Sequence, residues 1–351
     1  MKTIIAIRTT LVAAAVLLPA AIRAEENVTN RITFTARMGF NIAVRFKGTA
    51  GNLPATPRAT QRGDGYNYDD GYVLPDIAKV EYGNTDGQTW YWGYDDSASQ
   101  ISGNTILLSR STPSGAFTSP WMEDNPMPGF EITYNGRLAS VDHANFGIEV
   151  GGSFMDITLR NSSSFSGRAA RVTDAYPFAA GTTPPSATPA SPYQGSYEGP
   201  GFLIGDAPVN STSAMVPGGF TVSGGQRFSG ALWGLRLGPY VDFPLGQDVN
   251  IWVSGGVVGA LLVADAQWSD TISLPGAGSL PTTTGHGHED AFLWGAFASA
   301  NIAWDLGENW SLVGGVQFQY LEDFSHNFGG RTVELDWGNT WFATVGFCVR
   351  F

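Results

Sequence analysis

The last eleven residues of the chain, Trp341 to Phe351, read WFATVGFCVRF. Trp341, Ala343, Val345, Phe347, Val349 and Phe351 take alternate positions, and Phe342, Thr344, Gly346, Cys348 and Arg350 take the others. Successive side chains of a β-strand point to opposite faces. One face of this segment is therefore apolar to its very end, with no polar residue to mark where water begins. That face needs an apolar medium along its whole length.

The same period of two recurs. Arg31 to Phe46 sets Ile32, Phe34, Ala36, Met38, Phe40, Ile42, Val44 and Phe46 against Thr33, Thr35, Arg37, Gly39, Asn41 and Arg45. This run is longer than most soluble strands and suits a tilted crossing of a bilayer. Further runs span Phe130 to Val141, Phe146 to about Arg160, Phe228 to Phe243, Phe292 to Trp304 and Trp310 to Leu321. Val249 to Gln267 is apolar on both sides, which leaves its facing open. With the last strand, from about Glu334, the count is eight. Charged residues are only 14% of the chain, against about a quarter in soluble domains. No second long apolar run follows the N-terminus, which excludes a helical membrane protein.

The connections between runs alternate in length. Residues 142–145 (DHAN), 244–248 (PLGQD) and 305–309 (DLGEN) are short, whereas 47–129, 161–227, 268–291 and 322–333 are long. Short turns on one side of a membrane and long loops on the other are the mark of a bacterial barrel. Aromatics fall at both ends of the runs. Phe146, Phe243, Trp304, Trp310 and Phe351 are expected at the inner rim, and Phe46, Phe130, Phe154, Trp294 and Tyr320 at the outer one. Within the first long loop, Thr89 to Tyr94 and Thr105 to Arg110 read as a hairpin above the membrane, with two further crossing strands as the alternative. Residues 181–192 (GTTPPSATPASP) read as flexible.

Met1 to Ala24 reads as a secretory leader, with Lys2 and Arg8 before an apolar core and small residues at Ala20, Ala21 and Ala24. Cleavage after Ala24 or after Ala21 fits, leaving residues 25–351 as a single barrel. Cys348 is the one cysteine, so no internal disulfide forms.

Taken together, residues 31–46 and 130–351 resemble the small eight-stranded outer-membrane barrels of the OmpA/OmpX type, whose closing strand typically ends in Phe. The resemblance implies an all-β fold: a closed antiparallel eight-stranded transmembrane β-barrel with long extracellular loops, in the outer membrane of a Gram-negative-type bacterium. It also implies insertion by the outer-membrane assembly machinery, for which Val345, Phe347, Val349 and Phe351 are the signature. It does not imply one function, since members serve structural, adhesive or resistance roles and a few modify lipid. The outer loops here are much longer, and no peptidoglycan-binding domain is expected after the barrel.

The inward set carries Arg37, Glu131, Arg137, Glu149, Arg236 and Asp242. An isolated buried charge is costly, so these are expected to pair as a polar plug, Arg137 lying opposite Glu149. A conducting path lined by the arginines is the alternative. Loss of Lys2, Arg8 and Arg23 with the leader takes the formal charge from −12 to −15. Counted over residues 48–127, 161–226, 268–290 and 322–335, the long loops hold nineteen acids against seven bases. Such a surface disfavours nucleic acid. The stretch Asp64 to Tyr72 offers oxygen ligands without the spacing of a known calcium loop. His286 and His288, with Glu289 and Asp290 and near His326, could ligate a metal or serve a rim hydrolase. The expected reading is a non-enzymatic surface protein without a cofactor. Its partners would be outer-membrane lipid or lipopolysaccharide and an extracellular ligand. A small-solute pore and a lipid A- or peptide-modifying rim enzyme are the alternatives.

Overall fold

The computed structural model describes residues 30–49, 66–75, 87–141, 144–195, 199–275 and 278–351. The expected leader lies outside them, as do Asp64 and Gly65 of the acidic stretch and Asp142 and His143 of the first short turn.

The described residues form twenty-four strands, all pairing antiparallel, and one short helix at Ser97–Gln100. Eight strands pair in a circuit. Arg31–Phe40 pairs with Met127–Val141, followed in order by Ala144–Asn161, Phe220–Pro244, Val249–Leu274, Thr283–Asp305, Trp310–Leu321 and Thr340–Arg350. The last pairs back onto the first, and Phe351 and Asn30 exchange both backbone hydrogen bonds. These eight belong to a thirteen-stranded sheet, to which Ile101–Ser102, Thr105–Ser114, Phe165–Pro177, Asn210–Met215 and Gly278–Ser279 also contribute. The expectation of eight strands and loops is corrected accordingly: among the described residues the long connections carry further β-strands.

The circuit alternates as its sequence does. Phe34, Val345 and Phe347 are 50%, 56% and 53% exposed, whereas Thr33, Arg37, Phe342 and Cys348 on the other face are buried. In Val249–Leu274, whose facing the sequence left open, even positions point inward from Trp252 to Leu274.

The wall is uneven in height. Phe220–Pro244, Val249–Leu274 and Thr283–Asp305 run to 25, 26 and 23 residues, against 10 for Arg31–Phe40 and 11 for Thr340–Arg350. On the short side the strands break and then resume in a second sheet. Arg31–Phe40 continues as Ala43–Thr49, Trp310–Leu321 as Phe324–Phe328, Thr340–Arg350 is preceded by Arg331–Asp336, and Met127–Val141 by Met122–Glu123. The run Arg31 to Phe46 is thus not one crossing strand. Asn41 interrupts it with φ +63, a conformation a small polar residue tolerates. The interruptions are tied side by side: Asn41 N donates to Asn125 Oδ1 (3.1 Å), and Asn41 Nδ2 to the Asn339 carbonyl (2.9 Å).

Above this crease the second sheet leans against the long strands. Ile42, Val44, Phe46, Phe328, Val333 and Leu335 bury against Phe228, Leu262, Ala264 and Trp268 of the wall. Phe46 is 1% exposed, so it belongs to this core and not to the expected outer girdle. The junction is bolted by Arg331 Nε to Asp270 Oδ2 (2.8 Å) and Trp268 Nε1 to the Phe328 carbonyl (2.8 Å).

A third unit forms from the two longest connections. Thr105–Ser114 pairs with Phe165–Pro177 over ten positions, from Arg168↔Ser114 to Pro177↔Thr105. The expected hairpin is absent: Trp92–Tyr94 pairs with Gly71–Val73 and Tyr193–Gln194 instead. Trp92, Tyr94, Ile106, Leu108, Tyr176 and Ile204 fill an aromatic-rich core. Residues 181–192 pack onto it rather than stand free. Ala187 is buried there, and the Pro185 carbonyl accepts from Tyr94 Oη.

Candidate functional site

The inward polar positions of seven strands of the circuit converge on one network. Glu131 Oε2 accepts from Arg37 Nη1 (3.1 Å), and its Oε1 accepts from Arg236 Nη2 (2.8 Å) and Thr133 Oγ1 (3.2 Å). Glu149 accepts from Arg236 Nη1, from Ser254 Oγ (2.7 Å) and from Asn135 Nδ2 (2.7 Å). Gln319, itself accepting from Gln317, receives Arg37 Nη2, and Ser299 bonds Ser254. All of these side chains are buried. Two guanidinium cations and two carboxylates balance, and each is held by further hydrogen bonds, the condition under which buried charge is tolerated. Gly151 makes room for the longest of them, since a Cβ there would lie 2.7 Å from Arg236 Nε.

Of the residues expected in this network, Arg37, Glu131, Glu149 and Arg236 are brought together. Asp242 is not among them: it pairs with Arg31 (3.1 Å) nearer the short turns, where the Arg31 guanidinium also lies 4.0 Å from the Trp252 ring. The expected Arg137–Glu149 opposition is corrected. A register shift between Arg137 and Ala139 puts Arg137 opposite Gly147 and Asn135 opposite Glu149, and Arg137 Nη1 donates to Asn145 Oδ1 (3.2 Å). Sequence reasoning set Ser299 on the inward face of its run without joining it to the charges, and missed Arg31, Ser254 and the Arg350–Asp305 pair at the mouth beside Arg31. Continuing the inward alternation across every run would have found Arg31 and Ser254.

Apolar layers close the network at both ends. Trp252, Ala303, Val313 and Cys348 cluster on the side of the short turns. On the other, the Phe342 ring stacks 3.5 Å from the Arg37 guanidinium carbon and Phe297 lies 4.6 Å from that of Arg236, and beyond them begins the core under the second sheet.

Outside the circuit the acidic and histidine candidates divide. Asp70 Oδ1 accepts from Ser109 N and Asp69 Oδ2 from Ser111 N, both at 2.7 Å, so these carboxylates hold a neighbouring strand. Burial pushes the Asp70 carboxyl above its ordinary value despite those bonds. Burial likewise raises the Tyr68 phenol, which donates to Asp174 and contacts Tyr176, and takes Tyr176 up to about 12. His286 and His288 point outward from the long wall. His288 sits between Asp265 (3.0 Å) and Asp290 (3.3 Å), and His326 Nε2 lies 3.4 Å from Glu289 on another strand. Among the described residues no group of three or more His, Cys, Asp or Glu side chains is placed to hold a metal ion.

No family model and no curated protein matches the chain. Among solved structures it is similar to the outer membrane protease OmpT of Escherichia coli, at 8% identity, 93% of this chain, 97% of that chain and a TM-score of 0.32. It is also similar to the attachment invasion locus protein Ail of Yersinia pestis, at 10% identity, 93% and 99% coverage and a TM-score of 0.23. The toluene transporter TodX of P. putida follows at 9% identity, 93% and 91% coverage and a TM-score of 0.18. At these values the likenesses assign neither a family nor an activity.

Proposed function

We propose that the eight-strand circuit is a closed transmembrane barrel in a bacterial outer membrane, and that the chain is a non-enzymatic surface protein. Its folded acidic outer unit makes the external contacts. One observation carries this reading: paired aromatics bound an exposed apolar band of constant height. Trp294 and Trp304, Trp310 and Tyr320, and Trp341 and Phe351 are exposed pairs ten positions apart on three successive strands, with Trp233 and Phe243 at the same spacing on a fourth. Ten residues at roughly 3.3 Å each, tilted about 45°, rise about 23 Å. A barrel's lipid-facing band is about 25 Å tall between its aromatic girdles.

In this reading the three short joints face the periplasm, and Val345, Phe347, Val349 and Phe351 form the strand that the assembly machinery engages. The charge network and the apolar layers on either side of it make a plug, which opposes the small-solute pore. Purification in detergent tests both statements on one sample. Heat should shift the mobility of the undenatured band on a gel, and a planar bilayer should stay silent. Recovery of the chain without detergent would sink the membrane reading, whereas steady ohmic steps would revive the pore. Hydrolysis of a lipid or peptide substrate by the wild type, lost in His288→Ala, would revive the rim enzyme.

A further inference from the structure

On the outer surface of the long wall, above the aromatic band, the register lines up a row of basic and polar side chains. Arg160 pairs directly with Arg227, Arg227 with Gln267, and Gln267 with His286, across four adjacent strands. All four point outward and are exposed. Neither the Arg160 nor the Arg227 side chain has a hydrogen bond or ion pair to another described residue. Side chains directly opposite in an antiparallel pair start about 5 Å apart, and like charges there destabilise the sheet. Two facing, unpaired arginines in a chain of formal charge −12 call for a compensating anion.

We infer that Arg160 and Arg227 form a fork for a phosphate group carried on the saccharide of an outer-leaflet glycolipid. This rests on the membrane reading above. Height selects the ligand. Phe154 and Trp233 are paired in the girdle, and the arginines stand six positions beyond them on the same two strands. Six residues at roughly 3.3 Å and 45° rise about 14 Å, beyond the reach of a glycerophospholipid phosphate and within a thick sugar headgroup. Charge selects in the same direction. Asp156 and Asp290 occupy the first outward row above the girdle, and Asp265 the second, so a phosphate held at that level meets carboxylates first. At the arginine row a phosphate meets two guanidinium groups, the side chain best matched to its oxygens.

The test measures binding in detergent micelles by full-length protein, wild type and the Arg160→Gln/Arg227→Gln double variant. The probes are lipopolysaccharide with a phosphorylated core, the same lipid after core dephosphorylation, phosphatidylglycerol and inorganic phosphate. The fork predicts that the double variant loses about tenfold or more in affinity for the phosphorylated lipid. Dephosphorylation should cost wild type the same and the variant nothing further. Equal binding by variant and wild type overturns the proposal, as does phosphatidylglycerol binding as tightly as the phosphorylated lipid. Inorganic phosphate competing at equal concentration overturns the glycolipid as its source. A heat-modifiability gel on both proteins separates failure of the site from failure of the barrel.

Discussion

Arg31–Phe40 and Ala43–Thr49 are two halves of one uninterrupted alternation, yet their apolar faces meet different surroundings. Phe34 and Met38 in the first half are about half exposed, whereas Ile42, Val44 and Phe46 in the second are buried. The phase never changes, since even positions stay apolar throughout. What changes is the direction in which the sheet leans after Asn41. Below the crease the even side looks out of the circuit, and above it the even side looks onto the long wall. A period of two fixes which residues share a face. It does not fix whether that face meets lipid or protein.

Four substitutions and one titration break or sharpen that contrast. Arg236→Leu should be the most damaging, because it leaves Glu149 without its cation and Glu131 with only Arg37. Breaking a buried pair from one side costs about 3–5 kcal/mol, readable as a shifted urea midpoint in lipid vesicles. Phe46→Ala should cost about 3–5 kcal/mol in the same assay, because packed protein cannot refill the space, while Phe34→Ala should cost less than roughly half as much, because lipid chains can. Equal effects of the two would erase the distinction between the halves. Val345→Arg should cost about 2–4 kcal/mol in vesicles as a charge set on the lipid face.

The smallest effect concerns Glu334 in the second sheet. Burial pushes its carboxyl up, but hydrogen bonds from Lys47 (2.5 Å) and Arg45 (2.7 Å) outweigh that and hold it below the ordinary value. A depressed carboxylate stabilises the fold above its unfolded pKa of about 4.3, and that contribution fades as pH falls through the lower folded value. The side chain is 24% exposed, so Glu334→Gln should cost under about 1 kcal/mol at pH 7 and nothing at pH 2.

Much of the wall was legible in the sequence. The three short joints fall where 142–145, 244–248 and 305–309 were read, and Arg37, Glu131, Glu149 and Arg236 were assigned inward from alternation alone. The outer half was not legible, for physical reasons. In Val249–Leu274 the inward positions stay apolar through Leu262, Ala264, Ala266 and Trp268, but the outward ones become Asp265, Gln267 and Ser269. A search for lipid-facing strands stops there, although the strand does not. Most strands of the third unit, such as Trp92–Tyr94 and Tyr193–Gln194, are short, and they owe their place to partners distant in sequence, as Tyr193 does to Tyr94. Arg137 was misplaced by two residues: Val141 pairs with Ala144 rather than with Asn145, and a bulge between Arg137 and Ala139 shifts the register by one more, neither of which a pattern of residue types announces.

The most direct test of the proposed lipid-facing wall is a pair of accessibilities measured by spin label in vesicles. In a Cys348→Ser background, single labels at Val345→Cys and Phe34→Cys are compared with labels at Val44→Cys and Val333→Cys. The account predicts that the first two relax strongly with oxygen and weakly with a water-soluble nickel chelate, and that the second two respond to neither. Labels at 345 and 34 that are shielded from oxygen, or that respond as readily to the chelate, would contradict it.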